Sequence, residues 1–359
     1  MRNSFSAGEP LRRGAHMLAR LAGMATRPGW LTAVTPTADI YFLNAMGDLV
    51  AAEGGVTALG PNVYGADGRV VILRYANDAE LALLESARPR RVYYVIDDDL
   101  DGLSRSGDLP AGYRARLAAF VSRSLPRILA MADIVLAPNP LLLSRFPDHD
   151  TALISPSHCS LCDGFAHFAE TSPMRLVFTG SRSHAGDLEA IAPALERLCT
   201  SYPNIELTTF LGSGMLGSRG SAGSARLRRL GNVVNRPALP WSDYRRYMAT
   251  ARFHIALAPF RRTATNECRS YNKVHDHAAF GAAGLYGDIL PYREIIGHDR
   301  DGLLLPAEPE AWFDALERLV SDPASAHRLA RAGVELSERT GNPAGLRAFW
   351  CAELGLDSS

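Results

Sequence analysis

Residues Ala256–Asp288 read ALAPFRRTATNECRSYNKVHDHAAFGAAGLYGD, and the order of elements in this stretch decides the fold. His254–Ala258 is short and apolar, as a buried strand is. A long loop follows, then a helix around Lys273–Phe280 and a second run at Gly284–Asp288. Strand, helix, strand is the unit of a parallel sheet. Inside it Arg269, Ser270, Lys273 and Asp276 follow one another, with Asn266 just ahead. On a helix, Arg269, Lys273 and Asp276 lie along one face. A helix beginning near Ser270 would aim its first-turn N–H groups and two cations at one point, a natural site for a phosphate or diphosphate. A carboxylate one turn further in can accept hydrogen bonds from sugar hydroxyls. The same residues also fit a solvated face on which Lys273 and Asp276 form an ordinary helix pair.

Working outward, the alternation continues in both directions. Arg175–Thr179, Glu206–Leu211 and Asn232–Val234 read as strands, with a turn at Gly180-Ser181-Arg182-Ser183. Asp187 reads as the N-cap of a helix carrying Leu188, Ile191, Leu195 and Leu198 on one face. Pro193 should bend that helix or delay its start. Upstream, Val70–Leu73, Val92–Ile96 and Ile134–Ala137 read as buried strands, with helices over Ala79–Ala87, Tyr113–Met131 and Asn139–Phe146. Turn-forming residues between 150 and 172 break the rhythm. At about 150 residues per domain the 359-residue chain holds roughly two. The expected organisation is a basic arm over 1–35, a Rossmann-like domain over 36–165, a second such domain over 170–340, and a helix over 341–359 crossing back. The fold class is α/β, two facing Rossmann-like domains with a cleft between them, because ligands of such sheets sit outside the carboxyl ends of the strands.

Composition narrows the partners. Thirty-eight basic and thirty-eight acidic side chains cancel, which argues against nucleic acid. No apolar run approaches the roughly eighteen residues a spanning helix needs. Five cysteines are an odd number for a disulfide framework, so reduced thiols and a cytoplasmic setting are expected. Residues 1–35 carry five arginines and one acid around Leu11, Met17, Leu18 and Leu21. This arm reads either as a segment resting on its own domain or as an interfacial helix touching anionic lipid at the inner face of the plasma membrane.

Two further constellations carry chemistry. Asp97-Asp98-Asp99 follows a strand, and carboxylates crowded there need exposure, a cation or a ligand. They fit acceptor-hydroxyl binding, a D-x-D metal site using Asp97 and Asp99, or a solvated loop capping a helix. His158-Cys159, Cys162 and His167 have the residue types of a zinc site, but no second C-x-x-C accompanies them and they fall in a linker.

From Ala258-Pro259 through Arg269-Ser270-Tyr271-Asn272-Lys273, Asp276-His277-Ala278-Ala279-Phe280-Gly281 and Gly284–Asp288, the chain resembles the C-terminal domain of GT-B retaining glycosyltransferases, the group-1/family-4 class. Gly302-Leu303-Leu304-Leu305 and Asp322-Pro323 extend the likeness, which covers roughly residues 175–335. The resemblance implies transfer of a sugar from a nucleotide-sugar donor to a glycan or lipid-linked acceptor in polysaccharide or glycolipid assembly. It implies retention of configuration, with no metal or other cofactor. Arg182 and Lys273 would hold the diphosphate and stabilise the leaving group, and Asp276 would take the ribose hydroxyls. Gly180, Ser181, His184, Asn266, Arg269 and Ser270 would complete the donor site, Asp98 would assist catalysis, and Asp97 and Asp99 would serve the acceptor. Cys268 stands where the family often has a second acid, and Arg269 replaces a lysine. Those departures keep two alternatives open: a catalytically silent nucleotide-sugar-binding module, and a metal-dependent transferase using Asp97 and Asp99.

Overall fold

The computed structural model describes residues 33–51, 55–180, 182–212, 226–227 and 229–356. The chain forms two α/β units. Unit 1 takes the described residues within Met1–Arg105, Ala115–Ser157 and Asn342–Ser359. Unit 2 takes Ser106–Arg114 and those within His158–Gly341.

Unit 1 is built on a six-stranded sheet of β1 (Thr57–Gly60), β2 (Val63–Ala66), β3 (Arg69–Leu73), β4 (Arg91–Val95), β5 (Ile134–Ala137) and β6 (Asp150–Leu153), in that spatial order. β3, β4 and β5 run parallel, as the apolar runs predict, and β6 adds a fourth parallel strand within the stretch that the sequence reading gave to turns. β1 and β2 add an antiparallel hairpin that the sequence reading did not contain. Helices α1 (Asn44–Ala51), α2 (Asp78–Ala87) and α3 (Ala111–Met131) connect them. Asn77 caps α2 in a reciprocal capping box with Glu80, satisfying donors that the helix start leaves open. The helix expected over Asn139–Phe146 is only Pro140–Leu143. Pro147 holds the residue before it away from helical geometry, so the turn cannot extend.

Unit 2 carries a second six-stranded sheet, all parallel. Its strands are β7 (Met174–Phe178), β8 (Ile205–Gly212), β9 (Val233–Pro237), β10 (Ile255–Ala258), β11 (Ala283–Gly287) and β12 (Leu303–Leu305), in the order β12-β11-β10-β7-β8-β9. The connecting helices are α4 (Ala185–Ser201), α5 (Trp241–Thr250), α6 (Asn272–Phe280), α7 (Pro309–Ser321) and α8 (Pro323–Gly341). Alternate side chains divide the core between the two faces. Leu176, Phe178, Ile255 and Leu257 pack against Leu188, Leu195, Trp312 and Leu316 of α4 and α7. Val177 and Ala256 face Met248, Ala279 and Phe280 of α5 and α6.

The sequence reading of α4 changes at two points. Pro193 does not delay the start; it lies inside a helix that begins at Ala185, where burial of Leu188, Ile191, Leu195 and Leu198 outweighs the missing hydrogen bond. Asp187 is not the N-cap; that position is His184, and Asp187 sits one turn in, buried. After α8 the chain ends in α9 (Pro343–Leu354), which packs within unit 1. There the indole N–H of Trp350 donates to Tyr41 O at 2.7 Å, and Tyr93 donates to Glu353 at 2.6 Å.

Candidate functional site

The strand order of unit 2 reverses direction between β10 and β7. The chain leaves β7 toward one edge of the sheet and β10 toward the other, so the loops after these two strands part and leave a crevice at their carboxyl ends. Two segments line it. One is Thr179–His184, leading into α4. The other runs from Pro259 through a short helix (Ala264–Glu267) into α6.

Gly180 is dictated by packing. A Cβ there would lie 2.3 Å from the ring of Phe178 and 2.8 Å from Cβ of His184. Arg182–His184 then forms a single 3-10 turn. His184 is buried, and its ring stacks on Phe260 at 4.7 Å with planes only 7° apart. Its Nδ1 meets Asp187 Oδ2 at 3.2 Å. Asp187 Oδ1 accepts from the Asn266 amide at 3.0 Å and from Arg261 N–H and Nε at 3.2 and 3.3 Å. Asn266 Oδ1 in turn accepts from Arg269 Nε at 2.9 Å. One buried carboxylate thus ties the loop after β7 to the loop after β10.

The second half of the site is on α6. The helix starts at Asn272, so Arg269 and Ser270 precede it instead of sharing its face with Lys273 and Asp276. Tyr271 holds the N-cap position without a side-chain cap, leaving first-turn N–H groups open. Lys273 Nζ donates to Asp276 Oδ2 at 2.7 Å and to Thr179 Oγ1 at 3.0 Å. Tyr244 of α5 donates to the same carboxylate oxygen at 3.0 Å. The side chains of Lys273 and Asp276 are only 19% and 11% exposed, so this is not the solvated helix pair that the spacing alone allows. Asp276 Oδ1 hydrogen-bonds to no described residue, and Lys273 keeps one N–H unused among them. Gly281 ends α6 at φ 64°, and a Cβ there would also strike Cys162 Sγ.

Burial dominates the titration of these groups. It pushes the His184 imidazole down to about 4, and the Arg269 and Lys273 charges push the same way. Burial raises the Asp187 carboxyl, but the His184 and Arg261 hydrogen bonds and the Arg269 charge bring it below its ordinary value. Tyr244 is raised well above the usual phenol range by burial and by Asp276. The site at neutral pH therefore holds a neutral histidine and an ionised Asp187.

Ser181 lies outside the described residues, as does the side chain of Arg182, and so do residues 1–32 of the basic arm. Gly180, His184, Asn266, Arg269, Lys273 and Asp276 come together in unit 2, with Ser270 buried just ahead of α6. Thr179, Asp187, Tyr244, Phe260 and Arg261 join this constellation, and the sequence reading gave none of them a site role; Asp187 it read as a helix cap and Thr179 as a strand end. Only Asp187 carried a visible signal, an acid three residues after His184 behind a glycine turn.

Asp97, Asp98 and Asp99 belong to unit 1. Arg74 bridges Asp97 at 3.0 Å and Asp98 at 2.9 Å, and Thr37 donates to Asp97 at 2.9 Å. Burial, with the Asp98 charge adding to it, raises the Asp97 carboxyl despite Arg74. Asp99 accepts from Gly102 N–H at 2.8 Å, at the start of the helix Leu100–Arg105, and lies 3.8 Å from Arg145. Asp99 alone takes the helix-capping arrangement, while Asp97 and Asp98 share the Arg74 guanidinium. Among the described residues no group of three or more His, Cys, Asp or Glu is placed to hold a metal ion. The Cys162 thiol donates to Gly164 O at 2.9 Å, and His167 Nε2 lies 3.1 Å from the carbonyls of Phe253 and Gly281, so the zinc-like segment serves packing. No described helix is long and apolar enough to cross a membrane.

No family model matches the chain, and no curated protein matches it. Solved structures do. Sucrose-phosphate synthase from Thermosynechococcus elongatus is similar over 77% of this chain and 70% of its own, at 15% identity and TM-score 0.53. HepE of Anabaena, in complex with UDP and glucose, is similar over 77% and 74%, at 13% identity and TM-score 0.53. TarM of S. aureus, in complex with Fondaparinux, alpha-GlcNAc-glycerol and UDP, is similar over 81% and 62%, at 11% identity and TM-score 0.55. What these identities establish is the fold, which is the GT-B glycosyltransferase fold.

Proposed function

We propose that the protein is a glycosyltransferase whose unit 2 holds a nucleotide-sugar donor at the β7/β10 crevice and whose acceptor is a glycan or glycolipid. The observation that carries this reading is the Lys273–Asp276–Thr179 constellation at the open start of α6, at the strand-order reversal. A cation and unpaired helix N–H groups suit a diphosphate, and an unpaired carboxylate oxygen beside them suits a ribose diol. UDP and glucose in the HepE structure, and UDP with a glycosyl-glycerol in that of TarM, support the same ligand classes.

In the reaction the bond between the sugar's anomeric carbon and the diphosphate oxygen breaks, with its electron pair leaving on the phosphate. Lys273, Arg182 and the α6 N–H groups stabilise that charge as it develops. The acceptor oxygen bonds to the anomeric carbon, and its proton passes to the departing phosphate oxygen. Ser270 and Arg269 complete the phosphate cradle, and Asn266 holds Arg269 in place. Asp98 of unit 1 serves the acceptor or the reacting sugar. Cations and helix N–H groups fill the role of a divalent metal, so transfer is metal-independent, and the anomeric configuration is retained. The enzyme works in the cytoplasm, with peripheral membrane contact through residues 1–35. Screening the purified chain against UDP-, GDP- and ADP-sugars, by thermal shift and by release of the nucleoside diphosphate, tests the reading; no stabilisation and no release across the panel would refute it.

A further inference from the structure

The His184–Asp187 pair does something that a phosphate cradle does not require. Asp187 is 3% exposed, and its two oxygens receive every donor in reach: His184 on Oδ2, and Asn266, Arg261 N–H and Arg261 Nε on Oδ1. An ionised carboxylate can only accept, so the proton in the His184 contact belongs to Nδ1. Phe260 stacks flat on one face of the ring and fixes its plane. In a neutral imidazole whose Nδ1 carries the proton, Nε2 is a bare lone pair. Among the described residues nothing hydrogen-bonds to it. Arg269 and Lys273 both lie close enough to oppose protonation of the ring, so the imidazole stays neutral beside two cations.

A lone pair facing a diphosphate oxygen would be repelled, because neither atom carries a hydrogen. We infer that His184 is a specificity residue that accepts a hydrogen bond from a hydroxyl of the transferred sugar, with Asp187 as the positioning residue that fixes its tautomer. This rests on the proposed nucleotide-sugar reading and adds which end of the donor His184 recognises. Asp276 takes a hydroxyl at the nucleoside end, and His184 takes one at the glycosyl end.

The test uses the full-length chain. Thermal shift against UDP, GDP and ADP, and against their glucose, N-acetylglucosamine and mannose conjugates, first identifies the sugar nucleotide that binds. A wild-type chain stabilised by none of them removes the proposed function, and this inference with it. Calorimetric titration then compares that sugar nucleotide with its bare nucleoside diphosphate. His184→Phe keeps a ring against Phe260 but has no acceptor. Asp187→Asn presents an amide N–H to Nδ1 and drives the imidazole proton to Nε2. Both variants should bind the sugar nucleotide roughly 5- to 10-fold more weakly, the loss expected for one neutral hydrogen bond. Both should bind the bare diphosphate within about two-fold of wild type. His184→Gln, which restores an acceptor on a flexible stem, should recover part of the loss. If melting curves show that one variant is unfolded, the other two decide. Equal loss toward both ligands, tighter binding of the bare diphosphate by Asp187→Asn, or unchanged affinity for both would each overturn the assignment.

Discussion

Replacing Lys273 by Met removes a positive charge from the site while keeping most of the side chain's length. Two consequences can be worked separately. The first is structural. Asp276 Oδ2 loses its 2.7 Å partner and keeps only the Tyr244 hydroxyl, in a site where both side chains are mostly buried. Leaving a charged acceptor short of one partner costs about 2 kcal/mol, a fall of roughly 4–8 °C in the melting of a unit this size. The second is catalytic. Losing one charge-stabilising donor at a leaving group costs about 3 kcal/mol or more, on the order of 100-fold in turnover. Adding Asp276→Asn to Lys273→Met separates them, because a neutral thioether beside a neutral amide no longer buries an unbalanced charge. Melting temperature should recover in the double variant while turnover stays at the level of the single variant or below. Turnover is read as nucleoside diphosphate released at saturating donor. A Lys273→Met enzyme keeping half of wild-type turnover, or a double variant regaining it, would refute the assignment of the charge to the leaving group.

Three other outcomes follow from the proposed reading. Activity should persist in excess EDTA; loss on chelation that manganese or magnesium restores would put the Asp97–Asp99 metal reading ahead. Arg182→Ala should weaken donor binding by roughly 1.5–3 kcal/mol, whereas Asp98→Asn should raise the acceptor KM and leave donor affinity unchanged; calorimetry showing equal donor loss in both would break that division of labour. Unit 2 should also be acid-sensitive. His184 titrates near 4 when folded against an ordinary 6.5, so its contribution is complete above pH 6.5 and is lost as pH falls toward 4, about 3 kcal/mol in all. The buried His277, held well below its ordinary value by burial and by Lys273, acts in the same direction, and the depressed Asp187 extends the loss below pH 4. His277→Phe should flatten the fall in melting temperature between pH 6.5 and 4; a slope identical to wild type would contradict this origin.

The parallel sheet of unit 2 was legible because its central strands β7, β10 and β11 are mostly apolar and buried on both faces. Lys273 and Asp276 were legible because their spacing places them one above the other on a helix. Arg269 was misplaced onto that helix since its N-cap is Tyr271, a residue without a capping side chain, and Tyr271 and Val274 pack in the core where the helix begins. Asp187 has the residue type of an N-cap, so local preference pointed there. Its true partners, Asn266 and Arg261, lie more than seventy residues away in sequence. Tyr244 is invisible for the same reason, reaching Asp276 from another helix. The β1–β2 hairpin escaped because TALG and VYGA, interrupted by Thr57, Gly60 and Gly65, form no continuous apolar run of the kind that marks β5 and β10. Pro193 does not delay the start of α4 because helix propensity is local, whereas the burial that overrides it is not.

Hydrogen–deuterium exchange with and without the sugar nucleotide that binds tests the central claim most directly, because it reports where the donor sits without presuming chemistry. Slowed exchange should appear in two segments far apart in sequence, Thr179–Asp187 and Asn266–Asp276, and should be lost in Lys273→Met at the same ligand concentration. Protection confined to unit 1 around Asp97–Asp99, or absent from both segments while the ligand demonstrably binds, would contradict a donor site at the β7/β10 crevice.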